Sequence, residues 1–130
     1  QTMENYFTRG MARLQQIDGA GGQAVLDALD GLAPDLAEYI VGFAFGEIYM
    51  RQGLSLAERE TITLASLLTA GGCEPQLKVH IDAGLNVGLT PQKIIEIFLQ
   101  CIPYTGFPRV LNAVFAAKAV FQERGIMMDV

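Results

Sequence analysis

One histidine occurs in the chain, His80. An imidazole that titrates near neutrality is the side chain best suited to move a proton at physiological pH. Gln76 stands one helical turn before it, so the two side chains share a face and can meet one substrate or each other. Cys73 lies just ahead of Pro75, where a helix is expected to begin, and a helix start favours a thiolate. On a straight helix, however, Cys73 and His80 are about 10 Å apart, too far for a direct hydrogen bond. Cys73 therefore reads either as a reactive thiol or as an inert, partly buried one.

Glu60 is a candidate acid, being left without a local structural task. Its neighbour Glu58 has one: with Ser55 it forms a capping box. Arg51 and Arg59 carry guanidinium groups that can hold a carboxylate through two parallel hydrogen bonds. Tyr104 and the Gly106-Phe107-Pro108 turn could wall a pocket, the tyrosine offering a hydroxyl and the glycine a close backbone approach. Each has a plainer reading: His80 satisfied in a core or interface, Gln76 decorating a helix start, Glu60 and the arginines solvated, and the turn a rigid connection. Cys101, on an apolar helix face, reads as a small core hydrophobe. Met3, Met11, Met50, Met127 and Met128 show no metal-ligand spacing and read as adaptable packing residues; no metal is predicted.

The elements that must position these groups are all helices. Tyr6, Phe7, Met11, Leu14 and Ile17 recur at helical spacing over 3–17, and Asp18-Gly-Ala-Gly-Gly22 is expected to end that run. A short helix over about 23–32 follows, and Pro34 opens a longer one carrying Leu36, Tyr39, Ile40, Phe43, Phe45 and Ile48, closed by Gly53. The capping box starts a helix over 56–70, which Gly71-Gly72 stops. Pro75 opens the next, terminated by Gly88; Thr90-Pro91 opens another over 91–102. After Tyr104-Thr-Gly-Phe-Pro108 a last helix runs to about Arg124, with Gly125 as its stop. No period-two pattern competes, so the chain is predicted to be an all-α, single-domain bundle of about six to seven helices.

Composition narrows the function. The chain has 130 residues, enough for one core without disulfides or metals. Its apolar fraction of 51% is high, yet charge or glycine breaks every apolar run short of a bilayer span, so a subunit interface is expected rather than a membrane. A net charge of −5 and the lack of a basic stripe argue against nucleic acid. The two cysteines fall in no C-x-x-C pair, which argues against a disulfide framework or a zinc site. No basic start with an apolar h-region is visible, although Met3 follows Gln1 and Thr2, and a cytoplasmic location is expected.

The segment from about Pro34 to Lys118 resembles the carboxymuconolactone decarboxylase family, whose broader superfamily includes the alkylhydroperoxidase D-like proteins. The resemblance rests on Phe45-Gly-Glu-Ile-Tyr49, Arg51, Gly53-Leu54, Glu58-Arg-Glu60, Pro75-Gln-Leu-Lys-Val-His80, Ala83, Asn86-Val-Gly88 and Tyr104-Thr-Gly-Phe-Pro108-Arg-Val-Leu-Asn112-Ala. It implies an all-helical subunit, a homo-oligomer (trimer or hexamer) with pockets near subunit contacts, and cofactor-free decarboxylation of a small anionic substrate, a carboxylated lactone. Gln52 departs from the family pattern, where a proline is common, and Gln76 from a place where an acid is frequent. The peroxidase branch is similar in a C-x-x-C-x-x-x-H segment. Cys73 fills its first place and His80 its last, but Gln76 replaces the second thiol needed for disulfide exchange.

Three functions follow as expectations. In the first, losing carbon dioxide leaves electrons in the substrate's own conjugated carbonyl, quenched by a proton from His80 or Glu60, with the arginines positioning the carboxylate. In the second, Cys73 reduces a hydroperoxide through a sulfenic acid that an external thiol resolves. The third is a non-catalytic oligomeric binding protein.

Overall fold

Thr2 begins the first helix, its hydroxyl oxygen accepting the Asn5 N–H at 3.3 Å. In the computed structural model, which describes residues 2–128, helix α1 spans Met3–Asp18 and breaks at Gly19, whose φ of 56° only glycine adopts cheaply. Helix α2 then starts at once, over Ala20–Leu29, rather than near residue 23 as the glycine run suggested. Gly22 is buried inside this helix, and a Cβ on it would fall on the Leu14 side chain. Of the glycines in that run, one makes the turn and another lets α2 press against α1.

Pro34 opens α3 in the expected place, over Pro34–Glu38, and the helix continues over Tyr39–Ile48 with a wider hydrogen-bond pattern. There the bonds skip to the fifth residue, as Tyr49 N–H to the Ala44 carbonyl at 2.8 Å shows, so this stretch is π-helical. Helix α1 crosses it backbone against backbone. A Cβ on Gly10 would collide with the Val41 carbonyl oxygen, and one on Gly46 with that of Tyr6. Arg9 pins the crossing: its Nη2 donates to the Gly46 carbonyl at 2.9 Å while its guanidinium lies 4.9 Å from the centre of the Tyr6 ring. Val41, Phe45 and Tyr49 are buried, the last two with rings stacked 4.8 Å apart. These helices form a compact unit that ends at Leu56.

A second compact unit begins at Ala57. Helix α4 spans Leu56–Ala70 and stops at Gly71 and Gly72, with φ of 74° and 68°. Helix α5 covers Glu74–Asn86 and α6 covers Pro91–Thr105, the latter capped by the Thr90 hydroxyl, which accepts the Lys93 N–H at 3.1 Å. Helix α6 does not end at Ile102: it runs through Pro103 for a further turn. The Thr105 hydroxyl donates to the Cys101 carbonyl at 2.9 Å and Gly106 N–H to that of Ile102 at 3.0 Å, so bonds on either side of the proline hold the turn together. Helix α7, Phe107–Glu123, packs along both α5 and α6. Leu64, Leu77, Ile81, Ile94, Phe98 and Val120 are the centre of this unit's core, each buried side chain stabilising the fold by roughly 1.5–3 kcal/mol. At the far end, Arg124 clamps α5 through Asp82 (2.7 Å) and Asn86 (2.9 Å).

The described chain is thus all-helical, with seven helices and no strand among the described residues. No described helix is long and apolar enough to cross a membrane.

Candidate active site

Positions 60, 64 and 68 follow one another at intervals of four and lie on one face of α4. Leu64 and Leu68 fill that face as the core requires; Glu60, at 0% exposure, puts a carboxyl group in the place of a third leucine. A carboxylate out of water is costly unless another group compensates it, and α5 supplies one. Leu77 and Ile81 bury the inner side of α5, while His80 stands at its edge with 19% of its side chain exposed. Nδ1 of His80 lies 2.8 Å from Oε2 of Glu60.

This contact decides which ring nitrogen is available. With Glu60 ionised, Nδ1–H is the donor, and Nε2 is left to meet a substrate. An imidazolium formed by protonation at Nε2 has its charge balanced by the Glu60 carboxylate. The second carboxyl oxygen, Oε1, is removed from solvent and has no hydrogen-bond partner among the described residues. A buried acceptor left in this way costs about 1–3 kcal/mol. The side chain is therefore placed against the interest of stability.

The structure brings these two candidates together. Cys73 occupies the residue before α5 without capping it; its Sγ–H donates to the Gly71 carbonyl at 3.4 Å. Gln76 is exposed on the first turn of α5 and makes no hydrogen bond to His80. Arg59, next to Glu60 on α4, is half-buried with its Nε shielded from water. Arg51 belongs to the first unit, where it is exposed. Tyr104 is 82% exposed on the last turn of α6, a ring in open solvent rather than one packed into its own unit. Cys101 is half-buried against the core, and burial pushes its thiol above the ordinary range, in keeping with an inert packing role.

Sequence reasoning passed over two cations, Lys78 and Arg109. A Cβ on Gly71 would lie 2.7 Å from Arg109 Nε, so the arginine stem rests on that glycine. The signal was available: Gly71 needs no side chain for two reasons, its positive φ and this neighbour, and Arg109 follows a Gly106-Phe-Pro helix start.

Comparison with known proteins places the chain in a family. Residues 34–119 match the family model described as the carboxymuconolactone decarboxylase family. The chain is 36% identical over 101 residues to a 4-carboxymuconolactone decarboxylase of Acinetobacter baylyi, covering 78% of this chain and 75% of that protein. It is 27% identical over 109 residues to a nitrosuccinic acid decarboxylase, npaB, of Metarhizium robertsii, covering 82% and 76%. A 15.0 kDa protein from the nqo9-nqo10 intergenic region of Paracoccus denitrificans is 28% identical over 97 residues, covering 74% and 72%.

Proposed function

From the premise that the chain belongs to the carboxymuconolactone decarboxylase family, a family of carboxy-lyases, we propose that it decarboxylates a small carboxylated lactone or related oxo acid without an organic cofactor. The observation that carries this reading is the contact of His80 with the buried Glu60 at 2.8 Å, which sets a proton-transfer group at the edge of an apolar core.

The reaction needs little else. The bond between the substrate carbon and its carboxylate breaks, carbon dioxide leaves, and the electron pair enters the conjugated carbonyl as an enolate. His80, protonated at Nε2, then gives its proton to carbon and regains one from solvent. Glu60 holds the ring in one tautomer and balances the imidazolium before the proton is passed on. Arg59, Arg51, Gln76 and Tyr104 are the groups proposed to bind the anionic substrate, the arginines by pairing with its carboxylate. We place the protein in the cytoplasm as a homo-oligomer, trimeric or hexameric. The exposed apolar side chains of Tyr39, Phe43, Phe107 and Leu111 support assembly.

One observation favours a second reading, reduction of a hydroperoxide: Cys73 stands at the start of the helix that carries His80. Its thiolate would attack the outer oxygen, releasing an alcohol and leaving a sulfenic acid, which an external thiol would reduce. The thiol proton is engaged by the Gly71 carbonyl and must first be given up, which ranks this reading second.

The deciding assay is carbon dioxide release from 4-carboxymuconolactone and from related oxo acids, run beside hydroperoxide consumption with a thiol. His80→Gln, which keeps a donor for Glu60, is expected to lower carbon dioxide release by about 10²-fold or more, and Cys73→Ser to leave it unchanged. Histidine-independent release, or peroxide loss that Cys73→Ser abolishes with no carbon dioxide formed, overturns the decarboxylase reading.

A further inference from the structure

We propose that the groove between α5 and the first turns of α7 is a second binding site, separate from the Glu60–His80 pair, for a small planar carboxylate about one ring in size. A cavity of about 220 Å³ opens there, lined by Glu74, Lys78, Asn112, Phe115 and Ala116. Lys78 is two residues from His80, about 200° round the helix, so the groove and the proton-transfer pair lie on different faces of α5.

Its polar groups are uncommitted. Glu74 and Lys78 stand four apart with the acid first, the favourable order for a helical ion pair. Yet among the described residues neither forms one, and the Asn112 amide makes no hydrogen bond. Arg109, one turn before Asn112 on α7, adds a cation at the same end, its stem resting on Gly71 just ahead of Glu74. Nor does Arg109 have an ion-pair or hydrogen-bond partner among the described residues. In a chain of net charge −5, two cations against one acid make this a local positive region.

The apolar half of the groove fixes the ligand's shape. Phe115 lines the cavity while 59% of its surface remains exposed, and Ala116, almost fully buried, forms a floor without bulk. An aromatic ring set against Phe115 removes apolar surface of both from water. Its carboxylate then reaches the Lys78 ammonium, with the Asn112 amide as a second donor. The cavity is smaller than the sites that enclose drug-sized ligands, which limits the occupant to a single ring.

Benzoate is the probe, titrated into isotopically labelled protein and followed by NMR, with benzylamine as the charge-reversed control. Benzoate is expected to saturate with a Kd on the order of millimolar, shifting signals of α5 and α7 around Lys78 and Phe115. Lys78→Ala and Phe115→Ala each replace an exposed side chain, so both should fold as the parent does, which circular dichroism verifies. Each is expected to weaken benzoate by about tenfold, while His80→Gln leaves it unchanged and benzylamine does not saturate. Absence of saturation, indifference to Lys78→Ala, equal binding of benzylamine, or loss of binding in His80→Gln overturns the proposal. None of these outcomes bears on carbon dioxide release, so this site and the decarboxylase reading stand or fall separately.

Discussion

Replacing Glu60 by leucine should make the protein more stable and inactive at once. The parent residue is fully buried with one oxygen held by His80 and the other unpartnered. Removing an unsatisfied buried oxygen recovers about 1–3 kcal/mol. Against this, His80 loses its partner while 19% of its side chain stays in solvent, a loss of about 1 kcal/mol. The balance is a gain of up to about 2 kcal/mol, or up to roughly 8 °C in Tm for a domain of this size. Turnover should fall by about 10²–10⁴-fold with the orienting carboxylate gone. The reciprocal change, His80→Ala, strands the carboxylate and should cost about 3–5 kcal/mol. Thermal melts followed by circular dichroism, together with the carbon dioxide assay, test both. A lower Tm for Glu60→Leu, or a His80→Ala variant as stable as the parent at neutral pH, would refute the view that this carboxyl is held for chemistry at the fold's cost.

Two more results are expected. Gly10→Ala and Gly46→Ala each drive a methyl into a carbonyl oxygen across the α1 crossing, and should lower stability by about 1–3 kcal/mol or more, read as a fall in Tm; an unchanged Tm means the helices separate freely. Alkylation of Cys101, followed by mass spectrometry, should keep accelerating with pH beyond its ordinary value of 9.0, because burial raises its thiol; a plateau below that pH contradicts it.

Punctuation carried most of the fold. Pro34, Thr90-Pro91, Gly71-Gly72, Gly88 and Gly125 each act at a boundary where local geometry alone sets the backbone, and the structure uses them so, whereas the helix expected to close at Gly53 ends at Ile48, with Gly53 in the loop beyond. Gly22 and Pro103 misled because their meaning is tertiary: one is small to admit Leu14, the other is tolerated by bonds flanking it. The π-helical bonding of Tyr39–Ile48 left no trace in periodicity, since it accompanies a crossing with a helix some thirty residues earlier. In the site, Glu60 stood out in the sequence as an acid without a local structural task, in a place where the resembled family has an acid; its burial and its contact with His80 depend on how α4 and α5 pack. What could not be read was exposure: nothing in the residue types of Gln76 or Tyr104 tells that one faces water and the other stands almost bare.

The crossing of α1 over the π-helical stretch also bears on how this sequence can drift. Where two helices meet through side chains, a larger residue on one is commonly offset by a smaller one opposite, and the two positions change in concert. At Gly10 and Gly46 the opposing surfaces are the carbonyls of Val41 and Tyr6, which no substitution can trim. Neither glycine has a compensating partner. Both should therefore stay fixed among descendants of this chain while the side chains around them vary, and neither should show correlated change with any other position.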